Sequence, residues 1–123
     1  MSKNPKRWRL FKDFKKGKYC FLIGVDNWSI ELQKREFYSL YLLLLRINEQ
    51  ILDIKNELME EESITLELEQ LPWYIQLDGK KNEWSLRFVF ESQDQTRSFE
   101  MYWPIQIAQT LFYEIKNMWE SMD

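Results

Sequence analysis

Histidine is absent from this 123-residue chain, and cysteine occurs only once. Histidine is the side chain that most often serves as a general base and as a metal ligand, so its absence removes the usual candidate for both roles. The single thiol, Cys20, cannot form an internal disulfide and lies between two aromatic residues, where packing is more usual than reactivity. We therefore predict a non-enzyme that holds no cofactor and no metal, in a reducing compartment.

Glycine and long apolar runs are also scarce. The three glycines are scattered, so the chain has no glycine-rich loop of the kind that binds phosphate groups. The longest apolar run, residues 40–45, is far too short to cross a bilayer, and the basic N-terminus lacks the apolar core of a secretory signal. These features predict a cytoplasmic location and no membrane contact.

Charge is distributed unevenly along a chain whose net charge is −3. Residues 1–18 contain eight lysines and arginines against one aspartate, whereas the remaining residues contain nine basic and nineteen acidic side chains. A basic arm on an acidic body is typical of an interaction tail. The interpretation we favour is a solubilising end that folds back onto the acidic body.

The first half of the chain has a strand pattern followed by a helix pattern. Residues 19–23 form an apolar run, and the alternation of Trp28, Ile30 and Leu32 with polar residues has the period of a half-buried strand, so the two predict a hairpin. Apolar residues then recur at spacings of three and four, which predicts a helix over residues 34–59. Leu42 and Leu43 fall outside its main apolar stripe, so we expect the helix either to be deeply buried or to be covered by a partner. In the second case the two leucines would contact a second copy in a homo-oligomer.

The second half predicts four antiparallel strands and a final helix. Four segments between Ile64 and Trp103 alternate apolar with polar residues, and Asp78-Gly79 is predicted to open a hairpin turn. Pro104 is predicted to begin the last helix. The class is α+β, with strands, helix, strands and helix in that order, in one domain over residues 1–123. Its parts are a basic N-terminal arm (1–18), a hairpin with a long helix (19–59), and a four-stranded meander with a C-terminal helix (63–121).

Several short segments carry a family resemblance. They are WRL at 8–10, LIGVDNWSIEL at 22–32, ELMEEE at 57–62, SLRF at 85–88 and a Trp-Pro pair before the final helix. The chain resembles an uncharacterised family of small cyanobacterial proteins of unknown function. Members of that family resemble in fold the single-stranded-DNA-binding transcriptional regulators of the Whirly and positive-cofactor-four type, which have two four-stranded sheet units, each closed by a helix. The resemblance implies a regulator-like fold and no catalytic residues.

The first function hypothesis is binding of single-stranded nucleic acid, because basic residues interleaved with aromatic ones suit such a strand. An edge strand protected by lysines would show the same pattern. The open face of the second predicted sheet is acidic and would repel phosphates. The candidate binding residues are Lys6, Arg7, Arg9, Lys12, Lys15, Lys16, Lys18 and Arg87.

The alternative hypothesis is a protein-interaction or assembly module that binds no nucleic acid. Its partner would be a second copy of the chain, with the arm of one copy on the acidic face of another, or a basic protein. The alternative requires no special chemistry, and the sequence leaves the two hypotheses open.

Overall fold

The computed structural model describes residues 7–122, which form two antiparallel sheets and two α-helices. The first sheet has the strand order β1-β2-β3 and the second has the order β4-β5-β6-β7. This confirms the predicted α+β class and the order of strands and helices. The elements are β1 (Trp8–Lys12), a 3-10 turn (Phe14–Lys16), β2 (Phe21–Val25), β3 (Trp28–Leu32), α1 (Lys34–Lys55), β4 (Ile64–Gln70), β5 (Trp73–Lys80), β6 (Glu83–Glu91), β7 (Ser98–Trp103) and α2 (Ile105–Glu120).

Part of the predicted basic arm, residues 8–12, belongs to the first sheet. Residues 8–12 form the edge strand β1, paired antiparallel with β2, and residues 13–18 form the turn that leads into β2. The lysines of this segment therefore flank a sheet edge, where they also discourage pairing with other chains. Lys6 lies outside the described residues. The first sheet has three strands within residues 7–122, whereas the Whirly resemblance implies four.

Helix α1 lies between the two sheets. The ring of Phe37 stacks on Phe21 of the first sheet at 4.1 Å between centroids, while the neighbouring Glu36 carbonyl accepts a 2.9 Å hydrogen bond from Trp73 Nε1 of the second. A helix covered on two sides has a wider buried arc than a single apolar stripe indicates. Leu43 is accordingly fully buried and cannot reach a second copy, so only the half-buried Leu42 is left for the predicted oligomer contact.

Helix α1 ends at Lys55, one turn before the predicted end at Met59. The acidic residues that follow lie in a turn, where Glu61 pairs with Lys80 at 2.8 Å and Glu60 contacts Lys81 at 3.8 Å. These pairs attach the turn to the β5-β6 hairpin.

No helix in the described part of the chain is long and apolar enough to cross a membrane.

The β5-β6 hairpin turns three residues later than the sequence predicts. Asp78 and Gly79 are paired within the strands, opposite Ser85 and Trp84, and the connecting residues are 81–82. Gly79 is required by close approach, because a Cβ there would lie 2.5 Å from the Glu83 carbonyl oxygen. The glycine therefore marks a tight backbone contact inside the hairpin and not the turn itself.

Candidate nucleic-acid interface

The second sheet buries one face against the helices and leaves the other uncovered. The inner rows contain large apolar side chains such as Trp73, Phe88 and Trp103, all of which are buried. The uncovered face, which we call the acidic face, has Arg87 beside Tyr102 with the guanidinium 5.4 Å from the ring centroid. Its charged residues are Glu67, Glu69, Asp78, Lys80, Glu83, Arg87, Glu91 and Glu100, giving a local charge of −4. Arg87 therefore lies among carboxylates, on a different sheet from the other predicted binding residues.

Three of the predicted binding cations stabilise the first sheet. Arg7 donates two hydrogen bonds to the Asp26 carboxylate, at 2.9 and 3.0 Å, and this contact lowers the pKa of Asp26. Arg9 donates to the carbonyls of Asp26 and Trp28 at 3.1 and 2.8 Å. Lys16 forms an ion pair with Glu31 of β3. These side chains hold β1 to the β2-β3 hairpin.

Arg9 also explains a glycine in the first sheet. A Cβ at Gly24 would lie 2.5 Å from a guanidinium nitrogen of Arg9, so the missing side chain makes room for the arginine to cross the sheet. The guanidinium thereby reaches the turn after β2. Arg9 is consequently placed to support the hairpin and not to meet a phosphate in solvent.

The remaining lysines belong to a segment that also carries two exposed rings at the end of the first sheet. Phe11 is 60% exposed and Phe14 is 54% exposed. Lys12, Lys15 and Lys18 are exposed and make no ion pair within residues 7–122. We call this region the basic-aromatic surface. It comprises Phe11, Lys12, Phe14, Lys15, Lys18 and Lys34.

The 3-10 turn gives the basic-aromatic surface its shape. The Asp13 carboxylate accepts a 3.0 Å hydrogen bond from the Lys15 backbone N–H, and the Asp13 N–H donates to the Cys20 carbonyl at 2.8 Å. The Phe14 ring packs edge-on against the buried Phe21 at 5.8 Å between centroids. Phe11 instead belongs to the outer row of the sheet, opposite Leu22. The surface therefore wraps around the end of the sheet on a fixed backbone.

Lys34 belongs to this surface although the sequence analysis did not select it. It begins α1, and its ammonium lies 5.7 Å from the centroid of the Phe14 ring. A lysine in the first turn of a helix opposes the helix macrodipole, which already places positive partial charge at that end. This unfavourable placement was a signal that the sequence offered, because departures from local rules concentrate at functional sites.

A second feature that sequence reasoning missed is the ion pair between Glu36 and Arg97. Arg97 Nη2 lies 2.5 Å from Glu36 Oε1, and the Glu36 side chain is only 5% exposed. The Arg97 guanidinium lies 4.7 Å from the ring centroid of Tyr19 and 5.2 Å from that of Phe90. Tyr19 directly follows Lys18, Arg97 lies in the β6-β7 connection, and Glu36 lies in α1. The ion pair between Glu36 and Arg97 therefore fixes the backbone next to Lys18 to α1 and to the β6-β7 connection.

A cleft of about 340 Å³ lies beside this ion pair, at the N-terminal end of α1. Glu36 Oε1 accepts from the Gln33 N–H at 2.8 Å as well as from Arg97, so its charge is balanced inside the fold. No group of three or more His, Cys, Asp or Glu side chains in the described part of the chain is arranged to hold a metal ion. The other lining residues are Arg35, Ser39, Leu71, Pro72, Glu91, Ser92, Gln93 and Gln95.

Two antiparallel sheets around two helices define a small α+β domain. The chain belongs to the family described as a domain of unknown function (DUF1818), whose sequence profile matches residues 3–118. It is 33% identical to a protein with unknown function from Prochlorococcus sp. NATL2A, a cyanobacterium, whose crystal structure is described as that of a DUF155 family member. That similarity covers 95% of this chain and 97% of the other, with a TM-score of 0.86. No curated protein matches the chain.

These comparisons confirm the predicted membership of a family of unknown function with a cyanobacterial representative. Neither match carries an assigned activity, ligand or partner. Function is therefore argued from the surfaces of the chain itself.

Proposed function

We propose that this protein is a non-enzymatic binding module for single-stranded nucleic acid, and that the basic-aromatic surface is its contact site. The observation that carries the proposal is the placement of two exposed phenylalanine rings among lysines that have no carboxylate partner in the described residues. Exposed rings accept bases by stacking, at about 1–3 kcal/mol per base, and lysines neutralise phosphates with release of counterions. Both elements of such a site are present in one short segment.

The shape of the surface favours a single strand over a duplex. Phe11 and Phe14 lie on the two sides of a strand end, so a ligand that meets both must bend sharply around it. Duplex DNA is stiff over about 150 base pairs and keeps its base faces stacked inside. A single strand bends easily and exposes the faces of its bases, so it is the form that can reach both rings.

Charge elsewhere on the molecule restricts where a polyanion can bind. The acidic face carries −4 and includes Arg87, so we exclude Arg87 from the proposed site. The order of strands and helices, which the Whirly-type regulators share, supports the proposal by analogy. Ligand binding is thus proposed at the end of the first sheet, with about two bases on the rings and a few phosphates on the lysines.

The test is fluorescence anisotropy of a labelled oligothymidine of about 12 nucleotides, titrated at several salt concentrations. We expect binding that weakens with salt. The lysine variant, Lys12→Gln with Lys15→Gln and Lys18→Gln, should bind with a weaker salt dependence. The slope of log K against log salt is negative, and its magnitude should decrease by about 2, because each phosphate contact on a single strand contributes about 0.7. Phe11→Ser should weaken binding at every salt concentration with little change in slope.

The matched control removes three positive charges elsewhere. The variant Arg46→Gln with Lys55→Gln and Arg87→Gln has the same net charge as the lysine variant, and its three sites lie outside the basic-aromatic surface. It should retain most of the affinity. Equal losses in the two variants would show that net charge matters and the site does not, and an absence of binding at low salt would overturn the proposal.

A further inference from the structure

The acidic face is the uncovered surface of the second sheet. Both helices pack on the other side of the sheet, against its apolar rows. Within residues 7–122, none of the six carboxylates on the face forms an ion pair. Val89 and Tyr102 lie between them and are 38% and 44% exposed. An uncompensated charge of −4 around an apolar centre is the pattern of a surface that meets a basic partner.

The same chain carries a surface of complementary charge. The basic-aromatic surface and the adjoining Lys16 contain five lysines, and the acids next to them are Asp13, Glu31 and Glu114, so the local charge is +2. Its exposed rings, Phe11 and Phe14, match the apolar centre of the acidic face. The two surfaces lie on different sheets, and no ion pair within the described residues joins them. They can meet only between two molecules.

We propose that the acidic face of one copy binds the basic-aromatic surface of a second copy. The contact is heterologous, because two different surfaces meet, so a bound pair still offers one free acidic face and one free basic-aromatic surface. Association therefore continues into open chains or closes into a ring. This inference goes beyond nucleic-acid binding and does not depend on it.

The area available makes this contact weak. Four strands about 4.8 Å apart span roughly 20 Å, and their average length is about 25 Å at about 3.3 Å per residue, which gives on the order of 400–500 Å² per partner. A stable interface buries about 800 Å² per partner, so the contact falls below that size. Charge attraction across it is screened at a Debye length of about 8 Å at physiological salt. We expect reversible association that needs high protein concentration and decreases with salt.

Self-association and polyanion binding use the same lysines. A single strand on the basic-aromatic surface of one molecule removes that surface from the acidic face of the next. Oligothymidine should therefore dissociate the assemblies, and assembly should reduce the apparent affinity for oligothymidine at high protein concentration. The two equilibria are linked by competition for one surface.

Sedimentation velocity tests the proposal with two variants of the full chain. The first is the lysine variant defined above, and the second is the glutamate variant, Glu67→Gln with Glu69→Gln and Glu100→Gln, whose changed residues are all exposed. At about 100 μM protein and low salt, the unchanged protein should sediment as associated species. Each variant alone should sediment as a monomer. Circular dichroism and thermal melts verify that both variants fold.

Mixing the variants separates this contact from any other. The glutamate variant retains a basic-aromatic surface and the lysine variant retains an acidic face, so an equimolar mixture can form one contact. We expect a one-to-one complex and nothing larger. A mixture that stays monomeric, or a variant that associates alone as the unchanged protein does, overturns the proposal.

Two further outcomes identify other occupants of the face. If the unchanged protein stays monomeric but binds oligolysine through the three glutamates, the proposal is overturned in favour of a foreign basic partner. If it associates but neither variant changes this, the contact lies elsewhere and the proposal fails. The glutamate variant should still bind oligothymidine. Self-association without oligothymidine binding would therefore reject the proposed function alone.

Discussion

Glu36 shows how a single residue can depart from the pattern around it. It lies in the first turn of α1 and is buried, although glutamate is rarely buried without a partner. The partner is Arg97, 61 residues away, which is held between the rings of Tyr19 and Phe90. Removing one member of such a pair leaves a charge in a site that water does not reach well.

The variant Arg97→Met is expected to lower the free energy of unfolding by about 3 kcal/mol, because the Glu36 carboxylate loses its cation while it stays buried. The double variant Glu36→Leu with Arg97→Met should lose less than the sum of the two single variants. Urea denaturation of the four proteins in a double-mutant cycle measures this coupling. Additive losses would mean that the pair contributes only through the packing of the two side chains.

Residue identity alone predicted which side chains carry charge but not which of them are available. Counting lysines and arginines in the first eighteen positions selected Lys12, Lys15 and Lys18, whose side chains are exposed. It also selected Arg7 and Arg9, whose guanidinium groups are used within the sheet. The difference depends on contacts between residues 17 to 19 positions apart, and these have no signature in a local pattern.

At the scale of elements, α1 and α2 are joined by a polar contact as well as by rings. Tyr41 of α1 donates a 2.6 Å hydrogen bond from its hydroxyl to the carboxylate of Glu120 near the end of α2. Lys116 donates to the same carboxylate at 3.0 Å. The ring of Trp119 lies 6.0 Å from that of Tyr41 and 4.9 Å from that of Tyr38. The contact therefore fixes the two helices at one end.

This contact predicts a change of stability at high pH. The hydrogen bond to Glu120, together with burial, raises the pKa of Tyr41 from 10.0 to about 12. The raised pKa means that the folded state favours the neutral hydroxyl. Its contribution to stability is therefore fully present below pH 10 and is lost as the pH rises towards 12.

The measurement compares the unchanged protein with Tyr41→Phe. At neutral pH the variant should be less stable by about 1 kcal/mol, the usual value for one hydrogen bond. This difference in stability should disappear between pH 10 and pH 12, because the unchanged protein then loses the hydrogen bond of the Tyr41 hydroxyl, which the variant lacks at every pH. Tyr113→Phe removes a hydroxyl from an exposed ring and should show no such gap. A gap that persists at pH 12 would contradict the assignment.

The elements were largely predictable because their patterns are local. Alternation identified the four strands of the second sheet, and spacings of three and four identified α1. The ends were less predictable, because they depend on contacts across the fold. α1 ends at Lys55, and the acids after it are held by Lys80 and Lys81. The β5-β6 turn lies beyond its predicted position, because Gly79 makes a close backbone contact inside the hairpin and does not form the turn.

At the scale of the whole molecule, the two sheets depend on one layer of helices. α1 follows the first sheet in sequence but packs mainly on β4 and β5, and α2 follows the second sheet but also contacts β1. Aromatic contacts cross between the halves, as in the cluster of Phe21, Phe37 and Trp119. Each half in sequence therefore lacks part of its own core. The absence of a linker in the sequence predicts one domain, and this packing is the physical reason to expect it.

Cutting the chain after α1 tests this expectation. Residues 56–63 form an exposed connection apart from the half-buried Leu58, so a fragment of residues 1–59 and one of residues 64–123 divide the chain without cutting a strand. Alone, each fragment would expose to water a face that the other covers, and burial of that face is the main source of stability. We expect each fragment alone to lack dispersed amide resonances and near-ultraviolet circular dichroism. Mixed in equal amounts, the two fragments should form a one-to-one complex with the near-ultraviolet circular dichroism of the intact protein. A native-like spectrum from residues 64–123 alone would instead show that the second sheet and α2 form a separate domain.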